Sequence, residues 1–229
     1  MNQSVGTLIV ATTILCASAA DAAGFKHGVE EFKTPGVSTF VAPRGVKAVM
    51  VEVWGAGGGG GAGFPTESLT GASGGGGGGG GYVRGWIPVK QKQSYTVTVG
   101  TGGTAGTPGG TPTGGAGTSS EIRDAANNIL ASAPGGGGAG PASAGQGGSG
   151  GTGPVVTAPN FLTRNGKSGS GGTVDGSFGF PGQPIQGSVE ILESTGPNLQ
   201  SGGGGTGGTS SVGQSDGRPG GRGHVIISW

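Results

Sequence analysis

The residues that could carry out catalysis are few and widely separated in this sequence. There are two histidines, His27 and His224. The carboxylates are dispersed, and include Glu52, Glu121, Asp124 and Asp175. No serine stands in a nucleophile elbow, and no pair of histidines has the spacing of a zinc site. The sequence therefore predicts a protein that is not an enzyme and that binds neither a metal nor a cofactor.

A nucleotide or nucleic-acid site is also disfavoured. The run Asn165–Ser168 resembles the end of a phosphate-binding loop, but Phe161 stands where that loop needs its first glycine. Twelve basic and eleven acidic residues give a formal net charge of +1. The basic residues are scattered rather than clustered as a phosphate-binding surface requires. We therefore expect no nucleic-acid partner.

Aromatic and apolar residues between the glycine blocks are better candidates for binding. We predict that Phe64–Thr70, Val155–Lys167 and Ser177–Pro184 are exposed loops, where binding residues are common. Such side chains suit contact with a sugar ring or with an outer-membrane protein. The alternative is that the phenylalanines cap the glycine-rich part and meet no ligand. The candidate ligand-binding residues are Asn160, Phe161, Leu162, Arg164, Lys167, Phe178 and Phe180.

Glycine dominates the composition, with 62 of the 229 residues, and it is concentrated in blocks. Glycine loses the most backbone freedom on folding and adds no side chain to a core. The segments between the blocks resemble strands: Val49, Val51 and Val53 share one face with Glu52 on the other, and Tyr95, Val97 and Val99 alternate with polar residues. We predict strands within residues 39–54, 82–99, 119–131 and 224–229, with a shorter candidate at 188–192, and almost no α-helix. The last strand is expected to return and pair with an early one.

The glycine blocks have two interpretations. They could be flexible linkers, but they run directly into β-branched residues, and the pieces between them are too small to fold alone. They could instead form polyglycine II helices, left-handed with three residues per turn and no internal hydrogen bonds. Several such helices side by side can pair their backbone groups with one another. We favour the second interpretation, with alanine, serine and threonine facing outward.

The N-terminus resembles a secretory leader over residues 1–22. An apolar stretch, Leu8–Cys16, precedes Ala20-Asp21-Ala22, which has the form of a signal peptidase site. The alternative is a buried N-terminal strand or helix. Cys16 is the sole cysteine, so a mature chain beginning at residue 23 would have no disulfide. We expect residues 23–229 to form one glycine-rich domain with no membrane span.

Two ends of the sequence resemble a known family. Phe40–Val46, Val49–Val53 and the glycine run from Trp54 resemble the opening of glycine-rich domains of bacteria, phages and animals. The closing Gly220–Trp229 resembles the ending of glycine-rich phage tail-fibre proteins. The resemblance implies an all-β fold: a small antiparallel β-sandwich or jelly-roll-like sheet joined to a bundle of polyglycine II helices. It also implies binding to a cell-surface partner through loops at the ends of that bundle.

These observations lead to an expected function and to alternatives. We expect a secreted, non-enzymatic adhesin-type protein that binds a cell-surface glycan or an outer-membrane protein. One alternative is a structural subunit of an extracellular filament or matrix, because exposed sheet edges are templates for self-association. Another is the tip of a virion tail fibre, although a secretory leader is not typical of phage fibre proteins and favours export by a bacterium.

Overall fold

The structure is a computed structural model that describes residues 27–64, 72–143, 146, 148–155, 157–174, 202–203 and 216–229. Every named secondary-structure element in these ranges is a β-strand, so the all-β prediction is confirmed. The predicted strand at 188–192 lies outside the described residues. The nine strands are β1 (Val29–Phe32), β2 (Gly36–Val41), β3 (Ala48–Trp54), β4 (Tyr82–Pro88), β5 (Ser94–Val99), β6 (Ser120–Arg123), β7 (Ile129–Ala133), β8 (Leu162–Arg164) and β9 (His224–Ser228).

Two antiparallel sheets pack face to face. One has the strand order β1-β9-β3-β4-β8, and the other has the order β2-β5-β6-β7. The last strand, β9, lies between β1 and β3 as expected from the sequence. It pairs Val225 with Val53 and Ile227 with Val51. The end of the chain therefore completes the centre of the larger sheet.

The core between the sheets is built from alternating β-branched and aromatic residues. Val49, Val51 and Val53 of β3 are fully buried, and Tyr95, Val97 and Val99 of β5 face them from the other sheet. This is the alternation that the sequence predicts. A valine buried in this way contributes roughly 1.5–3 kcal/mol relative to an exposed one. The sandwich therefore has a conventional hydrophobic core despite the low apolar content of the chain.

The glycine segments form an array at one end of this sandwich, and most of them continue a strand. β3, β5 and β7 lead directly into glycine segments, and other segments lead directly into β4, β6 and β9. We call these segments the glycine array; they comprise residues 55–63, 72–81, 100–107, 112–119, 134–142, 148–154, 166–173 and 217–223. The two sheets thus fix where the segments of the array begin and end.

Backbone hydrogen bonds join the segments of the array with a period of three. Gly55, Gly58 and Gly61 donate to residues 81, 78 and 75. The next residues in each triplet, at 56, 59 and 62, donate to residues 118, 115 and 112. The third set, Gly57 and Gly60, donates to residues 221 and 218. Eight successive N–H groups therefore donate hydrogen bonds to three neighbouring segments in turn, with N···O distances of 2.8–3.1 Å.

Burial follows the same arrangement. Every residue of 55–63 and of 72–81 is buried, because these two segments are surrounded by others. In the outer segment 100–107, burial recurs every third residue, at Gly100, Gly103 and Gly106. Thr101 and Thr104 of that segment are exposed, as predicted for the threonine, serine and alanine residues within the glycine segments. The prediction that such residues face outward is wrong for Ala56, Ala62, Ser73 and Ala139, which are buried. Their side chains are small enough to lie between neighbouring segments.

The packing explains why the central segments consist mostly of glycine. A Cβ atom placed at Gly58 would overlap the carbonyl group of Gly137, and one at Gly77 would overlap the carbonyl of Gly58. The obstacle is backbone in both cases, so no side-chain rotation can relieve it. By contrast, a Cβ at the exposed Gly171 would meet one atom, the carbonyl oxygen of Gly148 at 3.2 Å.

A pair of glycine-to-alanine variants tests this packing. We expect Gly58→Ala to lower the free energy of unfolding by about 1–3 kcal/mol or more, the range for overpacked sites. Gly171→Ala is the matched control, because it has the same effect on the unfolded chain. It should change stability by less than about 1 kcal/mol. Urea unfolding of both variants measures the difference, and equal stabilities would contradict the close packing.

The turn between β6 and β7 is closed by one carboxylate. Asp124 Oδ1 accepts hydrogen bonds from the N–H groups of Ala126 (2.9 Å) and Asn128 (2.8 Å), and Oδ2 accepts one from Asn128 Nδ2 at 2.9 Å. The Asn128 side chain and then its backbone hold the pKa of Asp124 below its ordinary value of 3.8. Asn127 takes a positive φ of 66° in this hairpin loop.

This pKa shift predicts an acid-dependent loss of stability. Because the folded carboxyl binds protons more weakly than the unfolded one, its contribution is present above pH 3.8 and disappears as the pH falls through the folded pKa. We expect Asp124→Asn to be less stable than the wild type near neutral pH, and the gap to narrow below pH 3.8. Thermal melts across this range measure it. A gap that stays constant would show that the carboxylate charge is not responsible.

Candidate functional site

The predicted binding segment around residue 160 lies beside the larger sheet. Val155–Lys167 was predicted to be an exposed loop, but Leu162–Arg164 forms the edge strand β8. This strand pairs Leu162 with Arg84 and Arg164 with Tyr82 of β4. The structure thus brings Asn160, Leu162 and Arg164 to one sheet edge, whereas Phe178 and Phe180 lie outside the described residues.

Phe161 points toward the core rather than toward solvent. It is partly buried and packs against the core cluster. A Cβ at Gly85 of β4 would lie 2.5 Å from its ring, so the ring occupies the space that a side chain at position 85 would fill. Phe161 is therefore a packing residue of the sandwich, whereas the alternative drawn from the sequence made it a cap on the glycine-rich part. It also helps to place the β8 edge against β4.

The neighbouring residues of Phe161 are exposed. Leu162 has 52 % of its surface accessible, and Arg164 and Asn160 are exposed as well. Asn160 adopts a positive φ of 71° in the turn before β8, a conformation that asparagine tolerates better than most residues. Lys167 is exposed and belongs to the glycine array, where its carbonyl accepts a hydrogen bond from Gly79 N–H at 2.8 Å.

The outer face of β4 supplies an exposed aromatic side chain beside these residues. Trp86 is 61 % accessible and lies on the same face as Arg84 and Tyr82. Its partner across the sheet is Met50 of β3, which is partly buried. Trp86 was not among the residues predicted to bind a ligand. Its exposure could have been predicted from the alternation of the strand. Trp86 is two residues from Arg84, so both side chains lie on the same face, and the charge of Arg84 indicates that this face is exposed to solvent.

Beneath this surface lies a buried polar cluster. Tyr82 Oη donates a 2.5 Å hydrogen bond to Glu52 Oε2, and Arg84 Nε lies 4.0 Å from Glu52 Oε1. The Trp54 ring lies between those of Tyr82 (4.9 Å between centroids) and His224 (5.3 Å) and is tilted relative to both. The fully buried His224 places Nε2 2.8 Å from Glu31 Oε1. Two of the residues considered for catalysis, Glu52 and His224, are thus held in structural contacts.

An open cavity lies at the end of β4, between the residues that precede β3 and those that follow β4. Its volume is about 290 Å³, and it is lined by Gly45, Val46, Lys47, Val89, Lys90 and Gln91. Val46 and Val89 contribute apolar surface, while Lys47 and Lys90 are exposed. Gly45 N–H donates to Gln91 Oε1 at 3.1 Å, which ties the two turns together. We call Trp86, Arg84, Leu162, Arg164 and this cavity the β4 surface.

The charges of the β4 surface are mainly positive. Arg164, Lys47 and Lys90 contribute exposed cations, while Arg84 lies against the carboxylate of Glu52, which also accepts the hydrogen bond from Tyr82. Exposed aromatic and guanidinium groups together are typical of binding surfaces. Across the described ranges, no group of three or more His, Cys, Asp or Glu residues could hold a metal ion. The same residues include no helix that is long and apolar enough to span a membrane.

Comparison with known proteins identifies a family. No curated protein matches the chain. A family model described as a glycine-rich domain matches residues 33–229, which include all of the sandwich except the first strand and all of the glycine array. The chain therefore belongs to the glycine-rich domain family.

Proposed function

We propose that the protein is a non-enzymatic, extracellular recognition protein that binds an acidic cell-surface glycan through the β4 surface. The observation that carries this proposal is the exposed indole of Trp86, with Arg84 on the same face of β4 and Lys90 two residues beyond the end of that strand. A sugar ring can lie on a flat aromatic face, and Arg84, Lys90 and Arg164 suit carboxylate or phosphate groups on neighbouring sugars. An outer-membrane protein is the other partner class, and the binding experiments below separate the two.

The glycine array serves as a rigid support in this proposal. We infer that its segments are polyglycine II helices, because their hydrogen bonds return to the same neighbour every third residue. Recognition surfaces are most precise when they are held by rigid elements. The strands that carry Trp86 and Met50 continue into the two central segments, so the array limits the movement of this part of the sheet.

A second candidate surface lies at the end of the array far from the sandwich. There the turn Thr107–Thr111 reverses the chain, Ser143 and Gln146 pair with each other through their backbones, and Phe64 is 38 % accessible. This surface corresponds to the expectation that loops at the end of the bundle make contact. It offers one exposed aromatic among its described residues and none of the clustered cations, so the β4 surface is the stronger candidate.

Removal of the exposed indole should abolish most of the binding. We expect Trp86→Ala to weaken binding to an acidic polysaccharide at least tenfold, because one stacking contact and its desolvated surface are lost. Ile129→Ala is the matched control, since Ile129 is 51 % exposed on the other sheet. Titration of the purified protein with polygalacturonate, and with neutral dextran for comparison, measures the effect. Unchanged affinity of the Trp86 variant would exclude the β4 surface.

The cations should determine the salt dependence. We expect Arg164→Gln and Lys90→Gln each to weaken binding and to reduce its dependence on ionic strength, because each removes one charge contact. Arg218→Gln is the control, since Arg218 is exposed on the glycine array. Binding to whole bacterial cells completes the test. Binding that protease treatment of the cells abolishes, while these variants remain unaffected, would indicate a protein partner and overturn the glycan proposal.

A further inference from the structure

The smaller sheet has an open edge that is longer than the other edges. β2 is the first strand in the order β2-β5-β6-β7, and within the described residues β5 is the strand that pairs with it. It has six residues, whereas the larger sheet ends in strands of four and three residues. Val37 is 73 % accessible and Val41 is 53 % accessible. A long edge with exposed apolar residues is a template for pairing with another chain.

The hydrogen-bonding phase of β2 can be read from its end. Ala42 N–H donates to the Gln93 carbonyl at 3.0 Å, and the Ala42 carbonyl accepts from Lys92 N–H at 2.7 Å. The backbone groups of Ala42 therefore face β5. Because successive residues of a strand direct these groups to opposite sides, those of Val37, Thr39 and Val41 face the open edge.

The residues whose backbone groups face the open edge, together with the next residue in the same alternation at either end, form a palindromic sequence. Positions 35, 37, 39, 41 and 43 are Pro, Val, Thr, Val and Pro. A second copy that is antiparallel and centred on Thr39 would place Thr39 opposite Thr39 and Val37 opposite Val41. In each of these three residue pairs, the backbone N–H and carbonyl groups would then face each other and form hydrogen bonds. The side chains of Val37 and Val41 would lie opposite each other on the outer surface of the sheet. The two prolines lack an N–H group and would end the ladder at either side.

From this symmetry we propose that β2 is a homodimer interface, which joins two copies into one continuous eight-stranded sheet. The partner is a second copy of this chain because the pattern is complementary to itself. The contact is closed by its twofold axis, so it yields a dimer and not a filament. β2 begins beside Val99, where the glycine array starts, and runs away from it. The two arrays would therefore extend in opposite directions.

Cysteine substitution tests the register directly. In a Cys16→Ser background, Thr39→Cys places two thiols across the axis with Cα atoms about 5.5 Å apart, within the range for a disulfide. Val37→Cys is the matched control, because its symmetry mate would be four residues along the partner, roughly 13 Å away. Mild oxidation should give a disulfide-linked dimer of the Thr39 variant on a non-reducing gel, and little or none of the Val37 variant. No difference between the two variants would overturn the register.

Association without a cross-link is tested by sedimentation velocity. The wild type should shift from monomer to dimer as its concentration rises through the micromolar range, as expected for a small interface. The double variant Val37→Lys/Val41→Lys places lysines opposite each other and should remain monomeric with an unchanged melting temperature. Ile129→Lys is the control and should still dimerise. A wild type that stays monomeric at the highest soluble concentration would overturn the proposal.

Discussion

Backbone hydrogen bonds between separate glycine segments are the interaction on which the rest of this structure depends. Successive amides of 55–62 donate to three different segments in turn, so each segment is held by several others. A buried N–H or carbonyl group without a partner costs about 1–3 kcal/mol. Close approach of backbones satisfies these groups, and that approach is possible because the chain there has almost no side chains. The entropic cost of ordering glycine is thus offset by hydrogen bonds rather than by apolar burial.

The sandwich and the glycine array depend on each other. The strands of the two sheets fix the positions at which the glycine segments begin. The segments themselves carry no distinctive side chains that could specify which segment packs beside which. In return, the array orders the ends of the strands that bear the β4 surface. The buried cluster of Glu52, Tyr82 and His224 lies where strands meet the array, and it fixes polar groups that would otherwise be costly to bury.

Much of the sandwich could be predicted from the sequence, because its strands carry a clear alternation. Val49, Val51 and Val53 identified β3, and the apolar ending at Val225 and Ile227 indicated the returning β9. Val29–Phe32 has two adjacent glutamates and no alternation, so β1 was missed. β8 has three residues and is defined by its pairing with β4. Which glycine segment pairs with which, and in what register, could not be predicted, because identical residues carry no register information.

The sequence could single out only part of the candidate site, for a similar reason. Residues 160–164 could be named together because they are adjacent in the chain. The roles of Phe161 and Trp86 depend on contacts between distant segments: Phe161 fills the space above Gly85, and Trp86 is exposed because nothing described covers its side of β4. A glycine within a strand is a signal of close approach, and with it the position of Phe161 could have been anticipated.

Amide hydrogen exchange of the segment 100–107 tests the central claim most directly. The amides of Gly103 and Gly106 donate to Gly57 and Gly60, whereas no hydrogen bond among the described residues uses the amides of Thr104 and Ala105. We expect slow exchange at Gly103 and Gly106, at a rate close to that of Val97 in the sandwich core, and fast exchange at the two residues between them. Uniformly fast exchange through the segment, at the rate of an unfolded peptide, would contradict it.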